Sequence, residues 1–168
     1  MKAKVAELTK GLATDDERIR AIFKFVSQEV RYMGITTETD APGYEPHDVN
    51  TTFENRYGVC RDKAALLVSM LSAAGIPSYP VLINFGDKLD PEVPSCGFNH
   101  AITAARTADG KYVLMDSTDE STADLLPQYL QDKSYIVATP EGETLLTSPV
   151  AAASENMLTA REEFSMSL

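Results

Sequence analysis

Hydrophobic residues recur at helical spacing in the first part of the chain. Behind the stretch "TDDE" (14–17), apolar side chains return every three or four positions: Ile19, Ile22, Phe23, Val26 and Val30. This spacing predicts an amphipathic helix that continues to about Tyr32. The stretch itself matches a capping box, in which Thr14 caps the helix and Glu17 reaches back to it.

A second helical pattern follows a break at Gly58. We expect this helix to begin near Cys60 and to end at Gly75, which is soon followed by a proline. Its apolar stripe consists of Leu67, Met70, Leu71 and Ala74. Between the two long helices, residues 34–46 are rich in glycine and proline, which predicts a long loop, and residues 48–56 favour a short helix.

The pattern changes to short β-like segments after residue 77. The stretches "SYPVLINF" (78–85), "FNHAITAAR" (98–106) and "KYVLMD" (111–116) are typical of strands, and "TADG" between the last two favours a hairpin. A helical turn at 124–130 and further strands at 134–139 and 144–149 follow. Helices first and antiparallel strands afterwards predict an α+β fold.

The composition and charge of the chain exclude some classes of function. The chain has 168 residues, a formal net charge of -10 and 43% hydrophobic residues, as expected of one globular domain with its own core. The excess of acidic over basic residues argues against nucleic acid or an anionic membrane as a partner. No apolar run approaches the roughly 18 residues of a membrane span. We expect residues 1–150 to form the domain, and residues 151–168 a tail that is either an edge strand or the beginning of a further domain.

Candidate chemistry centres on Cys60. A thiol at a helix N-terminus is favoured as the thiolate, because unpaired N–H groups and the helix dipole point towards it. A nucleophilic thiol also needs a base, and the base needs an orienting partner. His100 lies in a predicted strand, and Asp116 ends the next strand of the same hairpin. With Thr107 roughly opposite Tyr112, the two side chains would be cross-strand neighbours.

Each of these residues also has a structural interpretation. A lone cysteine is most often a small buried side chain, a strand histidine is usually structural, and an aspartate before Ser-Thr commonly caps a turn. Zinc binding by Cys60, Cys96, His100 and His47 is disfavoured, because only Cys96 and His100 have a suitable local spacing. A disulfide between the two cysteines would remove the nucleophile. The three residue types in this order favour the catalytic interpretation.

The stretches "NRYGVCRDKAALLVSMLSAAGIPSYPVLI", "FNHAIT" and "KYVLMDST" resemble the transglutaminase-like core of bacterial proteins. The resemblance extends to "IRAIFKFVSQEVRYMGI" and "GYEPHD", and so covers about residues 15–140. It implies the papain-like, transglutaminase-core α+β fold, with helices packed on an antiparallel sheet. It also implies that Cys60 is the nucleophile, His100 the base and Asp116 the orienting residue.

Two positions depart from the pattern of that family. Val59 stands where the family commonly has an acid, and Ser117 stands where it commonly has proline. Neither replaces a member of the triad, but both can alter the rim of the site and its substrate preference. For the oxyanion hole, the backbone N–H of Cys60 is a natural donor. The resemblance favours Tyr32 as the second donor, with Gln28 as a rival by analogy with thiol proteases, whereas the structural interpretation of Tyr32 is a packed core aromatic.

The resemblance implies cysteine-dependent acyl transfer or amide hydrolysis through a thioester, with a peptide or protein as substrate and without a metal or organic cofactor. The triad does not choose between an amine and water as the acceptor. The alternative is a non-catalytic peptide-binding or scaffolding module that keeps the fold. Related domains occur in larger, often exported proteins, so we expect a larger parent protein and an extracytoplasmic location, periplasmic or at the cell surface.

Overall fold

Helices dominate the N-terminal part of the computed structural model, which describes residues 1–34, 43, 45–93, 95–121, 124–154 and 159–166. They are α1 (Lys2–Leu8), α2 (Asp15–Glu29), α3 (Val49–Asn55) and α4 (Cys60–Ala73). The long loop predicted over residues 34–46 lies mostly outside the described residues. No helix in the described part of the chain is both long enough and apolar enough to cross a membrane.

The predicted start of α2 is confirmed. Thr14 Oγ1 accepts a hydrogen bond from the Glu17 N–H at 3.2 Å, and the Glu17 carboxylate accepts one from the Thr14 N–H at 2.9 Å. These two bonds satisfy donors that the first turn of a helix leaves without partners. The helix therefore begins where the local sequence places it.

The predicted end of α2 is wrong, because the helix stops at Glu29 instead of continuing to Tyr32. Residues Arg31–Tyr32 form strand β1, which pairs in parallel with strand β2 (Tyr57–Gly58). A lysine of α4, Lys63, donates to the carbonyls of Ser27 and Val30 at this helix end. A distant side chain thus satisfies carbonyls that the end of a helix exposes, and the chain is free to turn into a strand.

The C-terminal part of the domain forms an antiparallel sheet of five strands. These are β3 (Ser78–Ile83), β4 (His100–Arg106), β5 (Tyr112–Met115), β6 (Ser134–Val137) and β7 (Leu146–Thr147), in the spatial order β5-β4-β3-β6-β7. A single 3-10 turn, Gln128–Leu130, precedes β6. The predicted α+β class is confirmed. The described residues of the tail, 151–154 and 159–166, lie in neither helix nor strand.

The β4–β5 hairpin has the predicted position but a register shifted by one residue. Arg106, and not Thr107, pairs with Tyr112. Thr107 belongs to the turn, where its N–H donates to the Lys111 carbonyl at 2.9 Å. A shift of one residue moves a side chain to the other face of a sheet, so this register decides which residues of the hairpin can meet.

Helix α4 lies in the middle of the domain, between the other helices and the sheet. Its apolar residues pack with those of α2 and with one face of the hairpin, in a cluster that includes Ile22, Val26, Leu66, Met70, Ala105 and Met115. A second cluster covers the opposite face of the sheet and includes Val81, Ile83, Ile102, Leu114 and Val137. This packing fixes the N-terminus of α4 against the beginning of β4.

Candidate active site

The N-terminus of α4 is held by a buried carboxylate. Asp62, only 3% exposed, accepts hydrogen bonds from the N–H of Val59 at 3.0 Å and from the N–H of His47 at 2.9 Å. Gly58 lets the chain pass this carboxylate closely, since a Cβ on Gly58 would lie 2.7 Å from the Cβ of Asp62. Cys60, the first residue of the helix, is thereby placed at a fixed point.

Cys60 is a half-buried free thiol. Burial by itself raises the pKa of this thiol, because it disfavours the charged form. The hydrogen bond with His100, bonds from the backbone N–H groups of Ala101 and Arg61, and the charge of His100 oppose burial, and together they hold the pKa below its ordinary value. The site therefore increases the fraction of nucleophilic thiolate relative to an ordinary cysteine.

His100 and Asp116 form a buried pair. His100 Nε2 lies 2.9 Å from Asp116 Oδ2, and the two residues are 4% and 0% exposed. Burial lowers the pKa of His100, but the bonds to Asp116 and Cys60 outweigh burial and raise it to about 9. Because Asp116 occupies Nε2, the ring nitrogen that remains for Cys60 is Nδ1. With a pKa of about 9, His100 is protonated at neutral pH, and it lies between the Cys60 sulfur and the carboxylate of Asp116.

The observed hairpin register brings His100 and Asp116 to one face of the sheet. Thr103 pairs with Met115 at the end of the ladder, and continuing this register by one residue sets Asp116 opposite Ile102. Ile102 and His100 are two residues apart on β4 and therefore share a face. The register predicted from the sequence would set Asp116 opposite Thr103, which lies on the other face.

The carboxylate of Asp116 is fixed from both sides. Oδ1 accepts from the N–H of Thr118 at 2.9 Å and from its hydroxyl at 2.7 Å, while Oδ2 faces His100. Burial raises the pKa of Asp116, but the bonds from His100 and Thr118 lower it below its ordinary value. Asp116 thus caps a turn and pairs with the histidine, so the structural and the catalytic interpretation of this residue are compatible.

The structure brings Tyr32 near this group and places Gln28 elsewhere. Burial, followed by the charges of Cys60 and Asp116, raises the pKa of the half-buried Tyr32 hydroxyl, which therefore stays protonated and can donate. Gln28 is exposed on α2 and lines a surface cavity with Phe25 and Arg56. Of the two predicted candidates for the second oxyanion donor, only Tyr32 lies in the electrostatic environment of Cys60.

Lys63 is a buried charged residue that the sequence reasoning did not single out. It is 0% exposed, and its Nζ donates to the carbonyl of Ser27 at 3.2 Å and to that of Val30. Burial lowers the pKa of Lys63 to about 8, against the opposing charges of Glu120 and Asp116. Glu120 lies 3.9 Å away and accepts from the backbone N–H of Tyr32. A lysine within the buried side of α4 is the sequence signal that could have pointed to this network.

Two aromatic side chains lie beside the His100–Asp116 pair; we call Phe85 and Tyr129 the aromatic wall. The rings of Phe85 and His100 have centroids 4.7 Å apart, and Phe85 stacks on Tyr129 at 5.6 Å with an angle of 22°. The Tyr129 hydroxyl points to Asp116 Oδ2 at 3.5 Å. Nothing in the hydrophobic pattern connected these two residues with His100, because Phe85 follows β3 whereas Tyr129 lies in the 3-10 turn.

The remaining candidate ligands do not form a metal site. His47 Nδ1 lies 3.1 Å from Asp62, and Cys96 is an exposed free thiol. The structure thus contains no disulfide between Cys60 and Cys96. Within the described residues, no three or more His, Cys, Asp or Glu side chains are grouped so that they could hold a metal ion. The zinc alternative therefore has no support from the geometry.

Comparison with known proteins supports the fold. The sequence model of the transglutaminase-like superfamily matches residues 2–117. A candidate protease from Parabacteroides distasonis is 22% identical, with a TM-score of 0.66 over 89% of this chain and 27% of that chain. A candidate cysteine protease from Cytophaga hutchinsonii is 24% identical, with a TM-score of 0.52 over 70% of this chain and 36% of that chain. The chain therefore spans only about a third of the length of these two structures, and none of the curated proteins matches it.

Proposed function

This chain belongs to the transglutaminase-like superfamily, and from that premise we propose that it performs acyl transfer or amide hydrolysis through a thioester on Cys60. One observation carries the proposal. The half-buried thiol at the start of α4 shares a hydrogen bond with His100, whose other nitrogen lies 2.9 Å from the buried carboxylate of Asp116. A nucleophile, a base and an orienting group in this arrangement are the requirement for covalent catalysis at a carbonyl.

In the first half-reaction, the Cys60 thiolate attacks the carbonyl carbon of an amide, and a C–S bond forms. The negative charge that develops on the carbonyl oxygen is stabilised by the backbone N–H of Cys60 and by the hydroxyl of Tyr32. His100 then gives its Nδ1 proton to the leaving nitrogen, the C–N bond breaks, and the acyl group stays on Cys60 as a thioester. Asp116 keeps the imidazole ring in place and stabilises its charged form.

In the second half-reaction, the now neutral His100 accepts a proton from the acceptor, which attacks the thioester and releases the thiolate. Water as the acceptor completes hydrolysis, and a primary amine completes acyl transfer. We propose a peptide or protein as the substrate. We also propose that residues 1–150 form the catalytic domain of a larger, extracytoplasmic protein, as the resemblance to domains of exported proteins implies.

Acylation of Cys60 by 4-nitrophenyl acetate tests this function. The wild type should release a burst of 4-nitrophenol equal to the enzyme concentration, and intact-mass spectrometry should find one acetyl group on Cys60. Cys60→Ala should abolish the burst, whereas the matched control Cys96→Ala should keep it. A burst that survives in Cys60→Ala, or a wild type that acylates no faster than free cysteine, would overturn the proposal in favour of a binding module.

A further inference from the structure

Both rings of the aromatic wall expose apolar surface. Phe85 is 41% exposed and Tyr129 is 46% exposed, although both contact buried members of the site. We propose that the wall is a binding subsite for the leaving amine and, later, for the acceptor amine, and that it selects amines that carry a large apolar group, aromatic above all. This inference rests on the proposed function.

The position of the wall relative to His100 assigns it to the amine side of the substrate. The proton on Nδ1 of His100 goes to the leaving nitrogen, so that nitrogen must lie within hydrogen-bond distance of the imidazole. Phe85 packs on the same imidazole, with ring centroids 4.7 Å apart. The substituent on the leaving nitrogen therefore lies beside Phe85, whereas the acyl group is bonded to Cys60 and extends away from the histidine.

The shape of the wall explains the preference for a flat apolar group. The two rings are stacked with an angle of 22° between their planes, and both are partly exposed, so a further flat group can stack against them. An aromatic ring that stacks on such a surface gains roughly two- to twelvefold in binding beyond the effect of the buried area. Burial raises the pKa of the Tyr129 hydroxyl, and the charges of Asp116 and Asp119 raise it further. Two carboxylates thus lie near Tyr129, and we expect neutral amides to bind there better than carboxylates.

The same subsite serves the acceptor because the second half-reaction reverses the geometry of the first. The acceptor nitrogen attacks the thioester carbon, an N–C bond forms and the C–S bond breaks. The electron pair of that bond returns to Cys60 as the thiolate, and the amine proton goes to His100 Nδ1. An amine whose side chain stacks on the wall holds its nitrogen at the point from which the leaving amine departed, and it competes with water for the acyl group.

Partition of the acetylated enzyme between two amines tests the inference. Cys60 is acetylated with 4-nitrophenyl acetate, and L-phenylalanine amide or L-alanine amide is added at equal concentration. Liquid chromatography then compares N-acetyl amino-acid amide with acetate. These amides have similar amine basicity and differ in the size of the apolar side chain. A hydrophobic site prefers the larger of two such side chains by about tenfold or more. We expect phenylalanine amide to intercept the acetyl group about tenfold more often than alanine amide.

Substitutions in the aromatic wall distinguish a binding subsite from a pair of side chains that only shields the histidine from solvent. Phe85→Ala should reduce the preference for phenylalanine amide to about threefold or less, since stacking is lost. Tyr129→Phe, which keeps the ring, should retain the preference. The ratio of the two amines within one variant cancels any general loss of acylation. The control is Val93→Ala, because Val93 is a 58% exposed apolar residue on the adjacent loop without a ring to stack.

Two outcomes contradict the inference, and they differ from a failure of the proposed function. If the wild type transfers the acetyl group to both amides equally, the wall does not bind the acceptor. If Phe85→Ala slows both amides by the same factor and leaves their ratio unchanged, the wall only shields His100. If Cys60 is never acetylated, the proposed function itself is contradicted, and the proposed subsite is contradicted with it.

Discussion

Replacing Asp116 with asparagine probes the charge arrangement of the site with the smallest change of shape. The carboxylate accepts hydrogen bonds on both oxygens, from His100 on one and from Thr118 on the other. An asparagine has a single acceptor oxygen, so one of these two partners must lose its bond. The variant also removes the negative charge that stabilises the imidazolium form of His100.

The expected loss in the free energy of unfolding follows from the pKa of His100. Its folded-state value of about 9 lies above the ordinary value of 6.5, and a difference of this size corresponds to about 3 kcal/mol of stability. Asp116 and Cys60 share this contribution, and Asp116 has the larger part. We therefore expect Asp116→Asn to lower the free energy of unfolding by about 2 kcal/mol at pH 6.

The sign of the pH dependence is fixed by the direction of the shift. A histidine whose folded-state pKa is raised stabilises the fold fully below its unfolded pKa of 6.5, and this stabilisation is lost as the pH rises through about 9. Asp116 itself has a lowered pKa, so its contribution is present at pH 6 and is lost only in stronger acid. The difference between wild type and variant should thus be large at pH 6 and much smaller at pH 9.5.

Urea unfolding at pH 6 and pH 9.5 measures this difference, and NMR titration of the imidazole signals measures the pKa directly. The chain has only two histidines, so a His47→Ala background identifies the signal of His100. Asp119→Asn is the matched control, because the same change is made on a neighbouring carboxylate that binds Ser121 instead of the histidine. An equal loss of stability at both pH values, or an unchanged pKa of His100, would refute the reasoning.

Three further outcomes follow from the geometry. Iodoacetamide at pH 6 should label Cys60 before Cys96 in a mass-spectrometric time course, and equal rates would contradict a stabilised thiolate. Tyr32→Phe should lower the acylation rate constant by roughly 10²–10³ with little change in KM, as loss of one oxyanion donor does; a comparable loss in Gln28→Ala would favour the rival. Lys63→Met should cost about 1–3 kcal/mol in urea unfolding, because two buried carbonyls lose their donor, and stability equal to that of the wild type would show that this capping is dispensable.

The local pattern of the sequence was sufficient to predict α2, α3, α4 and the five strands of the antiparallel sheet. The capping box at Thr14 and the apolar stripe of α4 depend on neighbours within a few residues, so they can be recognised without the fold. The end of α2 could not be found in this way, because it depends on Lys63 from another helix. The predicted register of the hairpin was wrong by one residue for a related reason. The turn includes Thr107, and the turn sequence alone did not determine its length.

The residues proposed for the chemistry could be chosen from the sequence, but their surroundings could not. Residue types and the resemblance to a family were enough to propose Cys60, His100 and Asp116, because each carries a reactive group at a recognisable position. The aromatic wall could not be predicted from sequence. Phe85 and Tyr129 are unremarkable in their own segments, and their proposed role depends on the fold, which brings Phe85 onto the imidazole and Tyr129 onto Phe85.

The close approach of Gly58 to Asp62 has a consequence for how this sequence can diverge. A side chain at position 58 would collide with the Cβ of Asp62, and Asp62 could then no longer hold the N–H groups of Val59 and His47. The clash is with a Cβ, which every residue except glycine carries, so changing position 62 does not make room for a side chain at position 58. We therefore expect position 58 to stay glycine wherever this helix start is kept, whereas position 62 can change at the cost of the hydrogen bonds that it accepts.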